Sequence, residues 1–209
     1  MKHFIKICGL SNEQDILETI DLKPDALGFN FWPKSPRYIA PETVAKWTQG
    51  KVPAGMLKVG IFVNADADEI KQTATTAGLD ILQLHGGESA EFAQSLGLPV
   101  WKVLHLDRLP EAWNQFPAEC LLIDSGSVRM PGGTGHRVNT EGAVEFVKTS
   151  NLPVMLAGGL KASSVKDAIR TVRPAGVDVA SGVEQAPGKK DMQEVRNFIQ
   201  HARDAFLTV

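Results

Sequence analysis

Short apolar runs recur along the chain, each followed by a Gly-rich or polar turn and then by apolar residues at helical spacing. The runs are Phe4–Ile7, Ala26–Phe29, Leu57–Phe62, Ile81–Leu84, Val100–Leu104, Leu121–Ile123, Val154–Ala157 and Val177–Val179. Several are nearly continuous in apolar residues, as expected for parallel strands covered on both faces. They start roughly 19 to 33 residues apart, the length of one strand plus one returning helix. The intervening segments carry recognisable helix ends. Ser11, with Gln14 three residues on, predicts an N-cap ahead of Ile16, Leu17 and Ile20. Pro41 suits the first turn of a helix containing Val44, Ala45 and Trp47. Asp66 or Asp68 suits the cap of the next, which should end near Gly78. Ser163 is expected to cap a helix over Val165–Val172, and Asp191 to open a last one striped by Val195, Phe198, Ile199 and Ala202. The helix expected after Leu104 is the weakest, because Pro110 and Pro117 restrict it.

Eight strand–helix units in 209 residues predict an α/β chain closed into a parallel (β/α)8 TIM barrel, one domain over residues 1–209. The same alternation suits an open doubly wound sheet. A dinucleotide-binding sheet of that kind usually carries G-x-G-x-x-G after its first strand, and this sequence has none there.

Composition changes this picture little. Apolar residues at 43% and charged residues at 22% are ordinary for a water-soluble domain. The formal charge of −2 argues against nucleic acid or an anionic membrane as a partner recognised by bulk charge. Two cysteines, Cys8 and Cys120, make a disulfide framework improbable and suit a reducing cytoplasm. No apolar stretch approaches the roughly 20 residues needed to span a bilayer. A monomer is expected, because the patterning leaves no contiguous exposed apolar surface.

In such a barrel ligands bind where the strands end, so the residue after each apolar run carries the chemistry. Those positions read Cys8-Gly9, Asn30, Val63-Asn64, His85-Gly86, His105, Asp124, Gly158-Gly159 and Ser181-Gly182. The last two pairs fall where the architecture usually binds phosphate, and glycine lets backbone approach an anion closely. They also suit plain tight turns. Cys8 reads either as core filler or as a thiolate base beside that site. Asp124, after three large apolar residues, reads as a desolvated proton donor or as a turn and cap residue. Arg37, in the loop Asn30–Ala40, could grip a carboxylate bidentately or simply be solvated. His85, His105 and Asp124 could together hold a metal, but no spaced ligand motif accompanies them, so no metal is expected.

Taken together, the strand-end segments resemble phosphoribosylanthranilate isomerases. The resemblance runs through Lys6-Ile7-Cys8-Gly9-Leu10, Gly28–Tyr38, Val59–Asn64, Gln83-Leu84-His85-Gly86, Leu122-Ile123-Asp124, Gly132–Gly135, Ala157–Leu160, Val177–Glu184 and Pro187–Asp191, in order and over nearly the whole chain. It implies a cofactor-free Amadori rearrangement of a small phosphoribosyl substrate in tryptophan biosynthesis. On that resemblance Asp124 is the general acid and Cys8 the general base. Arg37 faces the anthranilate carboxylate. Gly158, Gly159, Ser181 and Gly182 cradle phosphate. Asp178 lies near the sugar hydroxyls, and Gln83 and His85 line the pocket. The sequence departs from the family at His136-Arg137-Val138-Asn139-Thr140, where a Lys-Thr-Phe-Asp-Trp-like stretch is common. Ala180 also stands where serine is common, and Asn30 and Trp32 where an apolar residue and tyrosine are usual. The competing readings are a metal-dependent phosphosugar epimerase using His85 and His105, a non-catalytic barrel that binds a phosphorylated ligand, and an isomerase that also accepts a histidine-pathway sugar-amine.

Overall fold

The computed structural model describes residues 3–124 and 140–209. The atypical segment at 136–139 and the Gly132–Gly135 motif therefore lie outside the described residues, as does the N-terminal Met1-Lys2. Eight parallel strands close on themselves in chain order, each hydrogen-bonded to its sequence neighbours and the last returning to the first. They are β1 (Phe4–Ile7), β2 (Ala26–Asn30), β3 (Leu57–Phe62), β4 (Ile81–Leu84), β5 (Val100–Leu104), β6 (Cys120–Asp124), β7 (Val154–Ala157) and β8 (Gly176–Val179). This is the (β/α)8 barrel the apolar runs predict. Asn30 and Asp124, expected just beyond their strands, are instead the final strand residues.

Helices α1 (Glu13–Asp21), α2 (Pro41–Thr48), α3 (Ala67–Ala77), α4 (Ala90–Ser95), α5 (Thr140–Thr149), α6 (Val165–Val172) and α7 (Met192–Phe206) cover the outside. No α-helix joins β5 to β6. Two single 3-10 turns, Leu106–Arg108 and Trp113–Gln115, stand there, since Pro110 and Pro117 each remove an amide donor that a continuous helix needs. Pro41 opens α2, Asp66 caps α3, and α3 ends on Gly78 at a left-handed φ of 62°. Asp191 caps α7 through the amides of Gln193 and Glu194. Two caps differ from expectation. Asn12, not Ser11, caps α1, its Oδ1 accepting from the Asp15 amide at 2.9 Å. The Ser11 hydroxyl donates instead to the Gly188 carbonyl at 2.8 Å, tying α1 to the segment after β8. The cap position of α6 is Ser164 rather than Ser163, and its hydroxyl serves the Lys161 amide and not the helix.

Two apolar cores result, one between strands and helices and one inside the barrel. The inner one stacks Ala26, Val59, Ile81, Trp101, Val103, Cys120, Leu122, Met155 and Ala157, with Phe4 edge-on to Trp101 at 5.6 Å. Strand side chains alternate inward and outward, so the residues two places above this plug point into the barrel's upper mouth. Lys6, Cys8, Gln83, Asp124 and Asp178 all arrive there by that parity. A short antiparallel hairpin, β9 (Glu184–Ala186) and β10 (Lys189–Lys190), follows β8 and folds across the mouth of β1.

Candidate active site

Inside the upper mouth lies a cavity of about 330 Å3. The ten residues given site roles line it, namely Cys8, Arg37, Gln83, His85, Asp124, Gly158, Gly159, Asp178, Ser181 and Gly182, whereas Val63, Asn64, Gly86 and His105, also marked at strand ends, line a neighbouring groove. Six of the eight strand–loop units, those of β1, β2, β4, β6, β7 and β8, bring them together from positions as far apart as Cys8 and Gly182.

Cys8 follows β1 with its amide bonded to the Val179 carbonyl at 2.8 Å, and is 9% exposed. Burial pushes its thiol above the ordinary range; Lys6 and Lys190 pull it back, and Asp178 adds to the rise. Lys6, fully buried, is the residue that strand-end reading missed. Its Nζ donates to Asp178 Oδ1 at 2.9 Å, across the β1–β8 register pair Lys6–Asp178, and reaches the Cys8 thiol. Burial opposes the Lys6 charge, but Asp178 and Cys8 outweigh it and hold the ammonium above its ordinary range. Gly28 makes this proximity possible: a Cβ there would sit 2.9 Å from Cys8 Sγ and 3.1 Å from Lys6 Cε. A buried lysine read by parity, rather than by its place after a strand, was findable in the sequence.

Asp124 ends β6, with its side chain 24% exposed to the cavity. His85 Nε2 stands 3.7 Å from Asp124 Oδ2, too far for a hydrogen bond. Burial pushes His85 below the ordinary histidine range, Asp124 opposing and His105 reinforcing the fall, so the imidazole is neutral at pH 7 and the contact is not an ion pair. The His85 and His105 rings are 6.0 Å apart, and His105 faces a neighbouring groove, not the cavity. Among the described residues no three His, Cys, Asp or Glu side chains are grouped to hold a metal. Gln83 is 3% exposed, and its Oε1 has no hydrogen-bond partner among the described residues.

Arg37 is engaged. Its Nε and Nη2 donate to Glu184 Oε1 and Oε2 at 2.8 and 2.6 Å. Lys190, whose side chain is fully buried, donates from Nζ to Glu184 Oε1 at 3.0 Å, the Cys8 carbonyl at 2.6 Å and the Ala180 carbonyl at 3.0 Å. Burial raises Glu184, but the bond to Arg37 and the charge of Lys190 win and hold it below the usual carboxylate range. Glu184 and Lys190 stood in the recognised motifs without any assigned role.

Gly158 and Gly159 turn the chain at φ of 75° and 68°, values L-residues rarely adopt. A Cβ at Gly182 would overlap the Leu160 carbonyl, so the loops after β7 and β8 touch and form one ledge of backbone. The ledge follows β7 and β8, on the arc of the rim between Asp124 at the end of β6 and Cys8 after β1.

Comparison with known proteins agrees with this geometry. The family described as N-(5′-phosphoribosyl)anthranilate (PRA) isomerase matches residues 5–201. The N-(5′-phosphoribosyl)anthranilate isomerase of Geotalea uraniireducens is 43% identical over 205 residues, covering 95% of this chain and 98% of its own. The crystal structure of phosphoribosyl anthranilate isomerase from Thermotoga maritima superposes with a TM-score of 0.84 at 33% identity, over 98% of this chain and 100% of that one. A phosphoribosyl anthranilate isomerase in complex with reduced 1-(o-carboxyphenylamino)-1-deoxyribulose 5-phosphate superposes with a TM-score of 0.81 at 31% identity, over 98% and 100%.

Proposed function

Since this chain belongs to the N-(5′-phosphoribosyl)anthranilate isomerase family, we propose that its upper cavity carries out that rearrangement with Asp124 as acid and Cys8 as base. The enzyme converts N-(5′-phosphoribosyl)anthranilate to 1-(2-carboxyphenylamino)-1-deoxyribulose 5-phosphate, a step of tryptophan biosynthesis. The observation that carries the residue assignment is that all ten predicted residues line a single cavity.

Asp124 protonates the ribose ring oxygen, the C1′–O bond breaks, and a Schiff base to the anthranilate nitrogen forms. Cys8, as thiolate, removes the C2′ proton. The electrons of that C–H bond move to the imine, giving an enolamine that tautomerises to the ketone. General acid and base steps of this kind contribute typically 10²–10⁴-fold each. The cavity supplies three further things. Lys6 holds positive charge against the thiolate while Asp178 keeps that charge fixed. The Gly158-Gly159 and Ser181-Gly182 ledge receives the phosphate, which places the sugar between the two proton-transfer groups. The unpartnered Gln83 Oε1 accepts from a substrate hydroxyl or amine. His85, neutral at pH 7, lines the sugar side without adding charge.

The barrel acts as one catalytic domain, and we read it as a monomer in the cytoplasm with no nucleic-acid or membrane partner. Supporting this, the exposed large apolar residues Trp32, Tyr38, Leu98, Leu207 and Val209 come from three separate chain segments, and no helix among the described residues is long and apolar enough to cross a membrane. The test is the loss of anthranilate fluorescence when the protein meets freshly generated substrate in EDTA. Rapid loss with wild type, abolished in Cys8→Ala and Asp124→Asn, is expected. Activity lost on chelation would favour the metal-dependent epimerase reading, and binding without turnover the non-catalytic one.

A further inference from the structure

Arg37 approaches Glu184 through one edge only. A guanidinium offers two bidentate edges, and Glu184 takes the one formed by Nε and Nη2. Nη1 makes no hydrogen bond to a protein acceptor among the described residues, and Arg37 lines the cavity. The other end of the side chain is fixed as well. Its Cδ lies 2.5 Å from where a Cβ on Gly9 would be, so the aliphatic stem lies flat on glycine backbone. Glu184 is in turn held by Lys190, which also grips the Cys8 carbonyl. Lys190 is anchored at its own amide by Asp15 of α1 at 2.7 Å.

We propose that Glu184 is a positioning residue for substrate specificity: it fixes one edge of Arg37 so that the other reads the aromatic carboxylate of the substrate, in register with Cys8 through Lys190. This rests on the assignment of Arg37 to that carboxylate. An arginine free to rotate would lose side-chain entropy each time it bound the ligand. Arg37 is already ordered by Glu184. The cluster of two cations and one carboxylate also keeps a net positive charge, so the substrate carboxylate completes the balance rather than competing with Glu184. A structural salt bridge alone would hold the loop and the hairpin together without caring what the ligand carries at its aromatic ring.

The two roles separate in a cycle of protein variant against ligand carboxylate. The probes are the reduced product analogue and its counterpart lacking the ring carboxylate, titrated against wild type, Glu184→Gln and Arg37→Ala. Wild type should prefer the carboxylated probe. Glu184→Gln should weaken that probe about tenfold, the scale of one charge-assisted contact, and leave the other unchanged. Substrate KM should rise with kcat nearly kept. Glu184→Asp, which retains charge but is one methylene short, should fall between, and gives the same reading if the Gln variant does not fold. Equal weakening of both probes, or of neither, would overturn the role of Glu184. Full preference for the carboxylated probe in Arg37→Ala would instead overturn the assignment of Arg37.

Discussion

At the scale of single residues, the cavity sets charge against burial. As the proposed base, Cys8 must be deprotonated to take a proton, yet burial holds its thiol high and Lys6 only partly compensates. The active form is the deprotonated one, so raising the pKa moves the rising limb of kcat/KM to higher pH. We expect that limb above the roughly 8.5 of a free cysteine, and further alkaline in Lys6→Met; a limb near pH 6 in either would contradict the pairing. Lys6→Met should also cost about 3–5 kcal/mol of stability, because Asp178 is left buried without its partner. Gln83 predicts the opposite trade. An unsatisfied buried acceptor costs about 1–3 kcal/mol, so Gln83→Met should raise the melting temperature while raising KM. A variant that loses stability would mean that Oε1 is not idle in the free protein. Cys120, whose thiol is pushed up to about 12 by burial, should stay unalkylated at neutral pH.

At the scale of elements, strands were the legible part. Six of the eight begin where their apolar runs begin, because strands buried on both faces leave a continuous apolar signature. β6 and β8 each begin one residue earlier, at Cys120 and Gly176. The residue-after-the-strand rule found Cys8 and Asp124, but Gln83 and Asp178 came only through the resemblance, and Lys6 not at all as a functional residue. All three lie within strands, where only the two-residue alternation identifies them. The role of Glu184 was illegible because its partners, Arg37 and Lys190, are 147 and 6 residues away and meet only after closure. Helix ends were read less well. Ser11 and Asn12 both have capping side chains, and tertiary contact with Gly188 decides between them. Asn12→Ala should therefore cost about 1 kcal/mol and Ser11→Ala less, measured by denaturant unfolding; the reverse order would restore Ser11 as cap. In the loop after β8, Gly182→Ala should raise KM at least tenfold, since any Cβ there displaces the Leu160 carbonyl of the ledge.

At the scale of the whole molecule, closure of the barrel is what joins Cys8 and Asp124, the two proposed proton-transfer groups. β1 leads to the proposed base, Cys8, and β6 ends on the proposed acid, Asp124, and the two line one cavity because β8 returns to β1. The plug of Trp101, Met155 and Leu122 beneath them closes the cavity floor. A single 22.6 kDa species in light scattering at micromolar concentration is expected, and a species of twice that mass would show that the scattered apolar residues hide an interface. The most direct test of the central claim is single-turnover fluorescence decay with substrate carrying hydrogen or deuterium at C2′, in wild type and in Cys8→Ala. Proton removal by Cys8 predicts a several-fold slower decay with deuterium in wild type and no enzyme-dependent decay in the variant. Decay at the wild-type rate in Cys8→Ala would contradict it.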